Sequence, residues 1–231
     1  MRLLILNPNT SRGVTDRIRE AAEAAAMPGD AFTTTRPAFG PKLIVTDADA
    51  EEAKRAVIDT VRNYTAPCDG IVLASFGNTG AEEVRALRAD IPVIGIASAA
   101  FATARALGGP FGIVTFGAGL VEGLRAKAEE AGLGAALIGI SHVPVADFGD
   151  PGTVQHRFRA ELAALCAQMH AKGAASIVMG GGPLAGLAPV LARDCPVPVI
   201  DGTRAAINLI RSVAVDHAEG AARRSGASGR G

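Results

Sequence analysis

The sequence predicts an α/β protein of two similar lobes, each a parallel sheet flanked by helices, the two related by pseudo-twofold symmetry. Three observations carry this expectation. Short apolar runs alternate with helix-patterned stretches along the chain, the signature of right-handed strand–helix–strand crossovers. The stretch Ile71-Val72-Leu73-Ala74-Ser75-Phe76-Gly77-Asn78-Thr79-Gly80 is an apolar strand that breaks into a glycine turn before a helix. It returns later as Ser176-Ile177-Val178-Met179-Gly180-Gly181-Gly182. Each unit is followed by a proline-led strand, Pro92-Val93-Ile94-Gly95-Ile96 first and Pro196-Val197-Pro198-Val199-Ile200 second. One large doubly wound sheet is the competing architecture.

In chain order, Leu3 to Leu6 reads as a buried strand, and Thr10 or Ser11 can cap a helix running to about Ala26. A Thr-rich strand from Ala31 to Arg36 follows, then a loop from Gly40-Pro41. Asp47 to Tyr64 has helical spacing with acidic residues in its first turn. Strand Ile71 to Ala74, helix Ala81 to Arg88 and strand Pro92 to Ile96 complete the first series. The alternation then restarts with helix Ala99 to Leu107, strand Phe111 to Thr115 and helix Val121 to Ala131. Ala135 to Ile140 and Val143 to Val145 are strand candidates interrupted at Ser141-His142. A loop at Phe148 to Gly152, a long helix Val154 to Ala171, strand Ser176 to Met179 and helix Leu184 to Ala192 come next. Asp201-Gly202-Thr203 opens the last helix. The expected lobes are residues 1–97 with 202–222, and 98–201. The Ser/Gly-rich residues 223–231 read as a disordered tail.

A chain of 231 residues can bury a large core as one domain or two, and 48% apolar content with no Trp fits helices packed closely on a buried sheet. Lys plus Arg equals Asp plus Glu at 23 each, so no basic field favours nucleic acid or a membrane surface. No apolar run is long enough to span a bilayer, and Asn7-Pro8-Asn9 interrupts the first strand too early for a signal peptide. The three cysteines, Cys68, Cys166 and Cys195, are odd in number and lack metal-type spacing. They read as packing residues of a reduced, cytoplasmic, metal-free protein.

The two repeated corners are the candidate site. A strand that ends at a helix start offers free N–H groups and a positive dipole end, suited to an anion or a carbonyl oxygen. Ser75 is a candidate nucleophile or hydrogen-bond donor there. The Gly180-Gly181-Gly182-Pro183 turn is a candidate N–H nest, or simply a tight corner with Pro183 at a first helical position. It lacks the Gly-Lys-Ser/Thr of a Walker loop. Thr115, Phe116 and Gly117 occupy the matching strand end in the second lobe, with Phe116 able to line a pocket. His142 is a candidate acid or base, with a structural donor as the alternative. His156 and His170 read as solvent-facing, and Asp147, Asp150 and Asp201 as turn and cap residues.

Asn7-Pro8-Asn9-Thr10-Ser11, Ser75-Phe76-Gly77-Asn78-Thr79-Gly80, Val93-Ile94-Gly95-Ile96-Ala97, the Gly180-Gly181-Gly182 turn and Val197-Pro198-Val199-Ile200-Asp201-Gly202 together resemble the aspartate/glutamate/hydantoin racemase superfamily, nearest its hydantoin and allantoin racemase branch. The resemblance runs from about Arg2 to Val213. It implies two lobes with a site between them, a small cyclic amide or amino-acid derivative as substrate, no cofactor, and a homo-oligomer. It also makes Asn9 and Thr10 ligand contacts, and Phe76, Gly77, Asn78 and Thr79 the loop around the substrate's polar end. The family's chemistry is proton abstraction beside a carbonyl by a thiolate, with a thiol returning the proton on the other face. Its two cysteine positions correspond here to Ser75 and Gly181. The expected activity is therefore of the racemase type with the thiols replaced. Ring hydrolysis or lyase chemistry using Ser75 or a bound water is one alternative, with Gly181 leaving room for that water. Non-catalytic binding of a small acid is the other.

Overall fold

The computed structural model describes residues 1–145, 147 and 149–213. The expected tail at 223–231 lies outside them, as do Phe148 and the end of the last helix. Four parallel strands form the first sheet: β1 (Arg2–Leu6), β2 (Ala31–Thr35), β3 (Gly70–Leu73) and β4 (Val93–Gly95), in the order β2-β1-β3-β4. β5 (Phe111–Thr115), β6 (Leu137–His142), β7 (Ser176–Met179) and β8 (Val199–Ile200) form the second, in the order β6-β5-β7-β8. The second order repeats the first, so the chain has two four-stranded parallel sheets and not one large one. The central strands are buried on both faces, which is why β1, β3 and β7 read as unbroken apolar runs.

Helices α1 (Arg12–Glu23), α2 (Asp47–Asn63), α3 (Ala81–Leu87), α4 (Ile96–Leu107), α5 (Val121–Glu130), α6 (Val154–Arg157), α7 (Arg159–Ala171) and α8 (Ala188–Leu191) fill the crossovers, and α9 spans residues 202–213. Ser11 caps α1, its Oγ accepting from the Val14 N–H at 3.3 Å. Thr46 and Asp49 form a capping box at the start of α2, each side chain accepting from the other's backbone N–H.

The structure corrects the expected elements in four places. Ser141 and His142 continue β6, pairing with Val114 and Thr115, whereas 143–145 leave the sheet. An edge strand tolerates the polar pair because one side of it faces no neighbouring strand. The long helix expected at 154–171 breaks at Phe158, whose φ of −118° and ψ of 26° leave the helical region while its ring is buried beneath the Arg157 guanidinium. In place of the single helix expected at 184–192, residues 182–192 hold a 3₁₀ turn (Gly182–Leu184) and the one-turn α8, because Gly186 takes a φ of +82° between them. Helix α4 starts at Ile96, three residues before the expected Ala99, directly from the end of β4.

One core cluster joins the two sheets. It includes Leu3, Ile5 and Val72 of the first and Ile113, Val178 and Ile200 of the second. Phe76, Phe101 and Phe111 meet edge to face across the junction, with ring centroids 6.4 and 6.1 Å apart. Helix α4 leaves β4 and packs against β7, while α9 returns to the first sheet, where Ile210 lies beside Gly70 and Arg211 reaches Asp30. The chain thus crosses between the sheets twice, holding their strand ends against each other.

Candidate active site

The C-terminal ends of β1, β3 and β7 converge on one cavity of about 250 Å³. Leu6, Leu73 and Ala74 are buried, so Ser75 is the first side chain past β3 that reaches the cavity wall with a polar atom. Its Oγ lies 2.9 Å from Thr79 Oγ1 and accepts from the Gly77 N–H at 3.2 Å. Two hydrogen-bonding groups therefore converge on whatever heteroatom side chain 75 carries.

The matching corner beyond β7 is built differently. Thr115 Oγ1 donates to the Gly180 carbonyl at 2.7 Å, and the Gly180 N–H donates to Val114 O, which fixes the corner on β5. Gly181 then takes φ 130° and ψ 144°, a region that side-chain-bearing residues rarely adopt. A Cβ there would lie 2.8 Å from Phe116 Cε1. The room expected beside Gly181 is filled by the Phe116 ring. Gly182 packs on the other corner, its Cβ position 3.3 Å from Ala74 O. Among the described residues neither the Gly181 nor the Gly182 N–H has a hydrogen-bond partner.

Of the residues singled out from sequence, Asn9, Ser75, Phe76, Gly77, Phe116 and Gly181 to Pro183 line this cavity. The others stand back from it. Thr10 Oγ1 donates to Gly40 O and Pro41 O, pinning the loop after β2. Thr79 touches Ser75, and Thr115 is spent on Gly180. Asn78, in the left-handed region at φ 53°, turns its Oδ1 toward Gly95 and Ser98 and borders a neighbouring depression. His142 Nδ1 lies 2.9 Å from Val143 O at the edge of the second sheet, and neither it nor Gly117 is on the cavity wall.

Sequence reasoning missed an apolar wall made by Leu43, Ile44 and Val45 from one side and Leu120 and Leu124 from the other, with Lys127 at the rim. The α5 residues sit at helical spacing and read as packing. Residues 43–45 form an irregular loop with no period to reveal them. Among the described residues no cysteine or histidine lines the cavity. Cys68 and Cys166 are buried in separate core clusters and neither is on the cavity wall; burial pushes the Cys166 thiol up to about 12.

Two parallel sheets of the same strand order, closing their strand ends on one shared cavity, define a two-lobed α/β enzyme scaffold. The model of the Asp/Glu/hydantoin racemase family matches residues 3–210. The chain is 30% identical to the hydantoin racemase of Paenarthrobacter aurescens over 217 residues, covering 92% of this chain and 91% of that protein. Among solved structures it resembles an allantoin racemase from Klebsiella pneumoniae with a TM-score of 0.85 and 30% identity, covering 93% of this chain and 88% of that one. An allantoin racemase from Pseudomonas fluorescens gives a TM-score of 0.81 and 29% identity, over 92% and 90% of the two chains. The protein belongs to the Asp/Glu/hydantoin racemase family, a family of isomerases. Among the described residues no helix is long and apolar enough to cross a membrane.

Proposed function

We propose that the cavity between Ser75 and Gly181 binds a small cyclic amide or amino-acid derivative of the hydantoin kind and eases loss of the proton beside its carbonyl, without a cofactor. The observation that carries this reading is the shared cavity: two strand-end corners from different sheets line one space of about 250 Å³. Loss of that proton puts charge on the carbonyl oxygen. The Gly181 and Gly182 N–H groups are the donors available to hold it.

Ser75 and Gly181 stand at the family's two cysteine positions according to the sequence resemblance, and this sets the rate. A serine hydroxyl is too weak an acid to replace a thiolate without an activating base, and Gly181 carries no group at all. Proton transfer then falls to water admitted to the cavity. Turnover should lie below that of a thiol-bearing site by about 10²- to 10⁴-fold, the usual contribution of a positioned acid and base.

One enantiomer of a substituted hydantoin or of allantoin, incubated in deuterated buffer, should exchange its α-proton faster with the protein than without it and lose optical rotation. No exchange above the buffer rate would refute racemisation. A mass gain of one water would assign ring hydrolysis instead, and thermal stabilisation by the ligand with neither reaction would assign a binding protein. The homo-oligomer implied by the resemblance is tested by the mass of the particle in solution.

A further inference from the structure

The loop after β1 carries a polar cluster whose hydrogen-bond directions are fixed by backbone groups. The Asn7 side chain is fully buried and Asn9 nearly so. The Asn9 N–H donates to Asn7 Oδ1 at 3.3 Å, so that atom must be the oxygen, and Asn7 Nδ2 reaches the Ser11 carbonyl at 3.3 Å. With its polarity set, Asn7 Nδ2 also donates to Thr15 Oγ1 and to Asn9 Oδ1, both at 3.0 Å. The Ser11 N–H independently donates to Asn9 Oδ1 at 3.0 Å. Two donors therefore hold the Asn9 oxygen inside the cluster. Its NH₂ is the half of the amide left over, with no partner among the described residues, on a side chain that lines the cavity. Asn9 Nδ2 is not among the buried unpartnered atoms, so it keeps accessible surface; a fixed amide with its accessible donor beside a cavity points to a ligand that supplies the acceptor.

We propose that Asn7 is a positioning residue: it locks the Asn9 carboxamide so that its NH₂, and not its oxygen, meets the ligand, and the first lobe reads a carbonyl or carboxylate oxygen. The recognition half of this inference rests on the function proposed above; the orientation half does not. The second lobe offers backbone N–H groups to the same cavity, so the ligand would be gripped by donors from both sides through two acceptor oxygens.

Asn7→Asp and Asn9→Asp separate the halves. Asn7→Asp replaces the donor with a charged acceptor, whose attraction for the amide donors outweighs the single Ser11 N–H still holding the Asn9 oxygen, so the Asn9 amide should turn its NH₂ toward residue 7. In side-chain amide NMR of the native protein without ligand, the Asn9 NH₂ protons should exchange readily with water. In Asn7→Asp they should shift and become protected, a change that a general loosening of the fold would not produce. Asn9→Asp retains the internal acceptor for Asn7 and Ser11 and removes only the donor facing the cavity. Its affinity for hydantoin should fall roughly tenfold while its melting temperature stays near native. An Asn9 NH₂ already protected in the native protein would overturn the orientation. Unchanged hydantoin affinity in Asn9→Asp would overturn the recognition. Failure of hydantoin to bind the native protein would instead count against the proposed function, with the amide signals still deciding the orientation. Should Asn7→Asp not fold, Asn7→Ser, which removes the donors to Asn9 without adding charge, should release the Asn9 amide and broaden its signals.

Discussion

The corners at Ser75 and Gly181 end equivalent strands of two sheets with the same strand order, yet they differ in what they could carry. The first is an open seat: side chain 75 meets the Thr79 hydroxyl and the Gly77 N–H at hydrogen-bonding distance. The second is closed. Its backbone lies in a glycine-only region, and the Phe116 ring fills the place of a side chain. A topological repeat therefore does not preserve chemical equivalence. One corner offers hydrogen-bonding partners to a side chain, and the other has no room for one.

The widest gap between the corners should appear when the missing atom is put back. Ser75→Cys substitutes sulfur for oxygen where two polar groups already face it, which favours the thiolate over the thiol. The variant should raise α-proton exchange on a hydantoin by about 10²- to 10⁴-fold over the parent. Because the base then stands on one face only, it should exchange one enantiomer faster than the other and return deuterium with retention. NMR in deuterated buffer beside chiral chromatography reads both. Equal exchange of the two enantiomers would show that the second face has a proton carrier of its own.

Gly181→Cys should fail where Ser75→Cys succeeds. Backbone strain and the clash with Phe116 each cost about 1–3 kcal/mol, so the variant should be destabilised by roughly 2–6 kcal/mol in urea unfolding. Adding Phe116→Ala should relieve the steric part and leave the conformational part, a coupling that a double-mutant cycle measures. A Gly181→Cys protein of native stability would mean that the corner opens on demand, and the contrast between the two lobes would disappear.

The contrast was only half legible from sequence. Both corners announce themselves, since an apolar run that stops at small polar or glycine residues before a helix is a local pattern. That neither Ser75 nor Gly181 carries a thiol is read directly from the sequence. That Phe116 occupies the space beside Gly181 was not, because the contact joins the ends of β5 and β7 across the sheet. Nor was the wall at Leu43 to Val45, whose placement depends on Thr10 tethering Gly40 and Pro41. His142 interrupts an apolar stretch in sequence and simply continues an edge strand in the fold. The resemblance marked Asn9 and not Asn7, and only the direction of three backbone groups separates the inward amide from the one with a free donor.

A smaller effect should sharpen the picture of the open corner. Thr79→Val keeps the shape and removes the hydroxyl paired with Ser75, at a cost of about 1 kcal/mol for one buried hydrogen bond. Placed in the Ser75→Cys background, it should also raise the thiol pKa, read by the pH dependence of alkylation. An unchanged thiol pKa would leave the Gly77 N–H as the only stabilising contact.

Two aspartates at opposite ends of the sheets should give stability opposite slopes with pH. Asp201, after β8, accepts from the Gly186 and Arg204 N–H groups, yet burial dominates and raises its pKa. Folding thus favours its protonated form, and its contribution is lost as pH rises from the ordinary carboxylate range toward the raised folded value. Asp201→Asn should remove that decline, seen as a flatter urea midpoint against pH on the alkaline side. Asp69, before β3, is held down to about 2, chiefly by the Arg2 side chain and backbone N–H. Its contribution is complete above the unfolded value near 4 and fades as pH falls from there to about 2. The pair is largely solvent-exposed, so only a small contribution is expected from it. Asp69→Asn should therefore shift the urea midpoint slightly at neutral pH and progressively less as pH falls toward 2. A shift that stays constant with pH would assign the effect to altered hydrogen-bond geometry or packing and not to charge, since a neutral amide oxygen still accepts the Arg2 N–H.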